Sequence, residues 1–148
     1  MRRFSRIFAW TTLFFVAGAV LFFTKAAALP YKVAWPVLLL SLATFLSRRR
    51  ELLPFGFAFL FSAAGDAVGA RGLFIPQMAF FALAHVAYVC WFLPRARRRL
   101  RAVSLAVTVP LLVFLFAAIV PEAPFPAERI GVAVYGLVIA AMLYSALQ

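Results

Sequence analysis

Asp66 and His85 are the side chains of this sequence best placed by type and surroundings to move protons. Asp66 lies in "LFSAAGDAVGARG" (60–72) and is the one acid with long apolar runs on both sides. The other three, Glu51, Glu122 and Glu128, stand beside prolines or arginines. A charged side chain at the centre of a membrane helix costs roughly 2.5–3.5 kcal/mol on insertion scales, and less toward the interface. Two readings of Asp66 follow. The turn at Gly69–Gly72 could satisfy it as a helix-end residue, or apolar surroundings could keep it a neutral carboxylic acid able to donate a proton. Ser62 stands four residues earlier on the same helical face, within hydrogen-bonding reach.

His85 is the only histidine. A lone histidine in an apolar helix is also what a packed, hydrogen-bonded core residue looks like, so spacing has to discriminate. Gln77, Phe81, His85 and Tyr88 follow at steps of four, four and three, which puts them on one helix face. Three of the four are polar in a stretch otherwise built from Ala, Phe, Leu and Val, and polar groups inside membranes face a bundle interior, a cavity or one another. The short "ARGL" link predicts an antiparallel hairpin that turns this stripe toward Asp66, with Asp66 and His85 offset by roughly 9 Å along the axis. Gly65 and Gly69 form a small-xxx-small pair that lets helices approach closely. Ser104, Thr108, Tyr135, Tyr144 and Ser145 are further polar candidates with weaker spacing.

The elements that must position these residues follow from composition. The 148 residues are 67% hydrophobic and 13% charged, include 18 Phe, and have a mean hydropathy of +1.04. Soluble domains are about half apolar and about a quarter charged. Six apolar segments stand out, at about 7–29, 33–46, 52–70, 73–93, 102–120 and 130–147, most near the ~20 residues that cross a bilayer. The expectation is an all-α, polytopic membrane protein whose residues 1–148 form one transmembrane domain. The first segment also has the basic start and small-residue run of a signal peptide. Its apolar stretch exceeds the usual 7–15 residues and Lys25 interrupts it, so it reads as a retained span.

The net charge of +11 does not indicate nucleic-acid binding, because the basic residues do not form one face. Eleven of the 15 fall in three clusters between apolar segments: Arg2, Arg3 and Arg6, then Arg48 to Arg50, then the five arginines from Arg95 to Arg101. Alternation through six spans puts all three on one side and leaves Lys25, Lys32, Arg71 and Arg129 on the other. The positive-inside rule then makes the N-terminus cytoplasmic. Cys90 has no possible disulfide partner within the chain. No zinc-ligand spacing, G-x-S-x-G elbow or phosphate-cradling glycine loop occurs, so neither a metal nor a cofactor is expected.

The stretch "FSAAGDAVGARGLFIPQMAFFALAHVAYVCWF" (61–92) resembles the hallmark region of the YhhN family of membrane lysoplasmalogenases. Ser62, Gly65 and Asp66 match the family's S-x-x-G-D, and Phe81, His85 and Tyr88 match its F-x-x-x-H-x-x-Y. Weaker similarity extends to "WPVLLLSL" (35–42) and "VYGLVIAAM" (134–142). The resemblance implies hydrolysis of the vinyl ether bond of lysoplasmalogens to a fatty aldehyde and a glycerophospho-base, in a membrane that is expected to be the bacterial cytoplasmic one. In that reading Asp66, His85 and Tyr88 are catalytic, Ser62 and Gln77 contact substrate, and Lys32 or Arg71 meets its phosphate. The partner is a single-chain lysophospholipid among membrane lipids. Two departures accompany the match. Trp35 stands before Pro36 where the family usually has Lys, and the nearest lysine is Lys32. A later S-D-like motif with a second acid has no counterpart, as in a shortened version of an eight-span fold. The alternatives are a non-enzymatic lipid-binding or transport-like protein and an inactive truncated paralogue.

Overall fold

The computed structural model describes residues 2–23, 33–97 and 100–148; Lys25 and Lys32 lie outside them. Regular structure among the described residues is helical, in six main elements: α1 (Arg2–Phe23), α2 (Trp35–Leu46), α3 (Leu53–Gly69), α4 (Phe74–Phe92), α5 (Arg101–Phe114) and α6 (Pro126–Ala146). These are the six apolar segments of the sequence. Among the described residues, four stretches are long and apolar enough to cross a membrane: Arg50–Gly69, Phe74–Arg95, Arg101–Glu122 and Pro126–Ala146. Helix α2 has only 12 residues, and ~18 Å at helical rise falls short of a ~30 Å hydrocarbon layer. Helix α1 begins at Arg2, ahead of the expected Ile7, because arginine is a good helix former and nothing in "RRFSR" breaks a helix.

Prolines mark three of the starts: Pro36, Pro54 and Pro126 each occupy one of the first two helical positions, where a missing N–H costs nothing. Between α3 and α4 the chain reverses through Gly72, whose φ of +74° is open to glycine at little cost. Arg48, just past α2, also has positive φ, at +53°. A side chain in that conformation is strained by about 1–2 kcal/mol, which is why glycine usually takes such positions. Helix α5 contains Pro110 and passes into a π-helical turn at Leu115–Ile119.

The helices pack as a chain of neighbours: α1 on α2, α2 on α3, α3 on α4, then α4 on α6, with α5 against the outside of α6. The α3–α4 hairpin is the most extensive of these contacts. Helix α4 thus turns to α6 and not to α5, which follows it in sequence. Small residues make the approach possible. A Cβ on Gly18 would come within 2.6 Å of the Pro36 Cα, one on Gly65 within 3.0 Å of the Phe81 ring, and one on Gly131 within 2.7 Å of Met78 Cε. The buried apolar residues are mostly alanines (Ala34, Ala58, Ala63, Ala84, Ala140) with Met78. Large side chains such as Phe57, Phe114 and Leu137 point outward. Membrane helices associate in this way, since lipid gives large apolar side chains no reason to hide.

Candidate functional site

Register in the α3–α4 hairpin is set by two glycine contacts. Gly65 faces the Phe81 ring, and Gly69 faces the Gln77 amide so closely that a Cβ there would lie 2.5 Å from it. Asp66 is therefore level with Phe80, and His85 lies about 7.5 Å deeper along the axis. The small-xxx-small pair thus seats two members of the polar stripe, Gln77 and Phe81. The stripe does not face α3 as a whole, however. Tyr88 meets the α3 rings of Phe55 and Phe59 at 5.6 and 6.4 Å, while His85 meets Tyr135 of α6 at 5.5 Å. A helix advances about 100° per residue, so steps of four drift about 40° each and divide the stripe between two neighbours.

That drift makes a corner. Asp66 is rotated about 60° round α3 from Gly69, and His85 about 60° in the same sense round α4 from Tyr88. Because the two helices run antiparallel, equal rotations carry both side chains to one side of the pair. Helix α6 packs on that side, through Met78 against Gly131 and His85 against Tyr135. Asp66, His85 and Tyr135 are half-buried there, and Tyr88 is half-buried against α3. Tyr135 was one of several weakly spaced polar residues in the sequence; its partnership with His85 depends on α4 choosing α6.

Hydrogen bonding separates this group from Ser41, Thr44, Ser104, Thr108 and Ser145. Ser41 donates to the Gly56 carbonyl across α2 and α3 at 2.9 Å. Thr44, Ser104, Thr108 and Ser145 each donate to a carbonyl of their own helix. Those hydroxyls are satisfied by main chain, so Ser104, Thr108 and Ser145 act in packing. By contrast, among the described residues Ser62, Asp66, Gln77, Tyr88 and Tyr135 make no side-chain hydrogen bond. Among the described residues no buried side-chain polar atom lacks a partner, so the polar atoms of these five are not fully buried. The Ser62–Asp66 bond allowed by spacing is not made, and the turn at Gly69–Gly72 does not hold the Asp66 carboxylate. Asp66 is a residue of α3 proper, its own carbonyl accepting from Ala70 N–H at 3.0 Å.

His85 is oriented. Its Nδ1 lies 2.6 Å from the Phe81 carbonyl oxygen. A carbonyl can only accept, so Nδ1 carries the hydrogen and donates it, leaving Nε2 with its lone pair. Arg71 stands in the exposed turn after α3, at the Asp66 end of the hairpin. Lys32, the other residue expected at a phosphate, lies outside the described residues. No group of three His, Cys, Asp or Glu side chains converges among the described residues.

No curated protein and no solved structure matches the chain. The YhhN family profile matches residues 28–148, a range that takes in α2 to α6 and every described residue of the corner. The chain belongs to the YhhN family.

Proposed function

We propose that the protein hydrolyses the vinyl ether bond of a lysoplasmalogen-type lipid at the α3–α4–α6 corner, with Asp66 as the proton donor. The observation that carries this reading is the unpartnered Asp66 carboxyl on the same side of the α3–α4 hairpin as an oriented imidazole, in a chain of the YhhN family.

The chemistry has three steps. The Asp66 carboxylic acid gives its proton to the β-carbon of the vinyl ether, and the double-bond electrons form the new C–H bond. The resulting oxocarbenium ion is stabilised by the carboxylate left behind. Water adds to the cation, and its proton passes to the His85 Nε2 lone pair. The hemiacetal then collapses to aldehyde and alcohol; the ether oxygen leaves with a proton returned from the imidazolium, and the hemiacetal hydroxyl proton restores Asp66. One water is consumed and both protein groups are regenerated. The axial step of about 7.5 Å between Asp66 and His85 leaves room for the reacting carbons and one water. Tyr88 and Tyr135 flank the imidazole, Gln77 offers hydrogen bonds toward the head-group end, and Ser62, one turn deeper than Asp66, offers one near the level of His85. Arg71, at the same end, is positioned to meet the phosphate.

The test is aldehyde release from lysoplasmalogen by the purified protein in liposomes. Wild type is expected to release it, and Asp66→Asn, which keeps shape and removes the acid, is expected to be slower by about 10²-fold or more. A folded wild-type protein that releases no aldehyde would overturn the reading. A second reading is a lipid binder without turnover, favoured by one observation: Asp66 is the only acid of the corner, the other three carboxylates lying at Glu51, Glu122 and Glu128. Lysolipid binding without product would select it.

A further inference from the structure

The arginine-rich end of the molecule carries a second feature, away from the α3–α4–α6 corner. Between α1 and α2 runs an apolar groove of about 300 Å³, lined by Trp10, Phe14, Ala43, Leu46 and Ser47. It is small for a ligand pocket and suits part of one hydrocarbon chain. Its mouth is basic. Arg48, Arg49 and Arg50 follow Ser47 directly. Arg49 pairs with Glu51 at 3.6 Å. Arg48 and Arg50 are exposed and meet no carboxylate among the described residues.

A second observation is conformational. Arg48 holds a φ of +53°, where glycine would relieve strain, and strain of that sort is a pointer to function. No residue of the 95–101 cluster that the structure describes has a positive φ. Arg95 is already engaged, its guanidinium 3.6 Å from the Trp91 ring centroid and bonded to the Trp91 carbonyl at 2.8 Å.

We propose that this groove binds one anionic glycerophospholipid, an acyl chain lying between α1 and α2 and the phosphate meeting Arg48 and Arg50. Charge asymmetry assigns this end to the cytoplasmic side, whose leaflet supplies anionic lipid to basic sites between helices. The occupant has to be an anionic lipid: a neutral one leaves the two arginines unmatched, and a soluble anion leaves the groove unfilled.

The test is native mass spectrometry of the purified 148-residue chain in detergent, titrated with phosphatidylglycerol or with phosphatidylcholine of the same chains. Phosphatidylglycerol is expected to bind tighter by roughly tenfold or more, at about fivefold per arginine. The double variant Arg48→Gly, Arg50→Gln removes the charges and relieves the backbone, so it is expected to stay folded and lose the preference. Ala43→Leu fills the groove with all charges kept and is expected to lose binding. Arg97→Gln with Arg101→Gln removes equal charge elsewhere and is expected to change little. Equal affinity for the two lipids, equal loss from both charge-removing pairs, or full binding by Ala43→Leu would each overturn the proposal.

Discussion

At the scale of single residues, the division is between polar groups that the main chain satisfies and those left for something else. Ser41 and Thr108 belong to the first class. Ser41→Ala is expected to remove one buried hydrogen bond between α2 and α3 and about 1 kcal/mol of stability, read as a lower thermal midpoint in detergent. Aldehyde release per folded protein should not change. Tyr135 belongs to the second class. Tyr135→Phe keeps the ring against His85 and deletes only the hydroxyl, so stability should hold while aldehyde release falls about fivefold, the worth of one hydrogen bond. Equal activity in Tyr135→Phe would confine the residue to packing. Part of this was legible in sequence. Asp66 and His85 stood out because lone ionisable groups in apolar runs are costly wherever the chain folds. The satisfaction of Ser104 by the Leu100 carbonyl and of Thr108 by the Ser104 carbonyl depends on side-chain rotamers, which spacing does not encode.

Helices meet through glycines, and not all glycines are alike. Gly18 faces the backbone of Pro36 at 2.6 Å, and backbone cannot swing aside. Gly18→Ala is expected to force α1 and α2 apart at a cost of about 1–3 kcal/mol, the usual range for overpacking, seen as a lower thermal midpoint. Gly69 faces the flexible end of Gln77. Gly69→Ala should leave the thermal midpoint nearly unchanged while displacing the Gln77 amide, and so weaken substrate binding, with KM rising more than kcat falls. The hairpin itself was readable from the "ARGL" link and the Gly65/Gly69 pair, since both are local signals. The split of the Gln77–Tyr88 stripe was not. Four-residue spacing marks a face, but the 40° drift matters only once there are two neighbours to divide it.

For the whole molecule, charge asymmetry predicts a sidedness that labelling can check. In a Cys90→Ala background, Ala70→Cys at the hairpin turn should react with a membrane-impermeant maleimide added to intact cells. Arg97→Cys should react only after the membrane is opened. Both positions are at exposed or part-exposed loop sites, so the reverse pattern would invert the topology. What the amino-acid order determined by itself is the class and layout: six apolar segments, all helical, in a member of a membrane family. Hydropathy and charge suffice there because insertion responds to the local cost of each segment in lipid. Only the tertiary structure decided that α4 packs against α6, that Tyr135 therefore meets His85, and that Asp66 and His85 open to the same side of the hairpin. Helices in lipid choose neighbours by fine shape matching of small residues, with no hydrophobic pattern to announce the choice. The pairing that builds the corner is a property of contacts between distant segments, and it exists only in three dimensions.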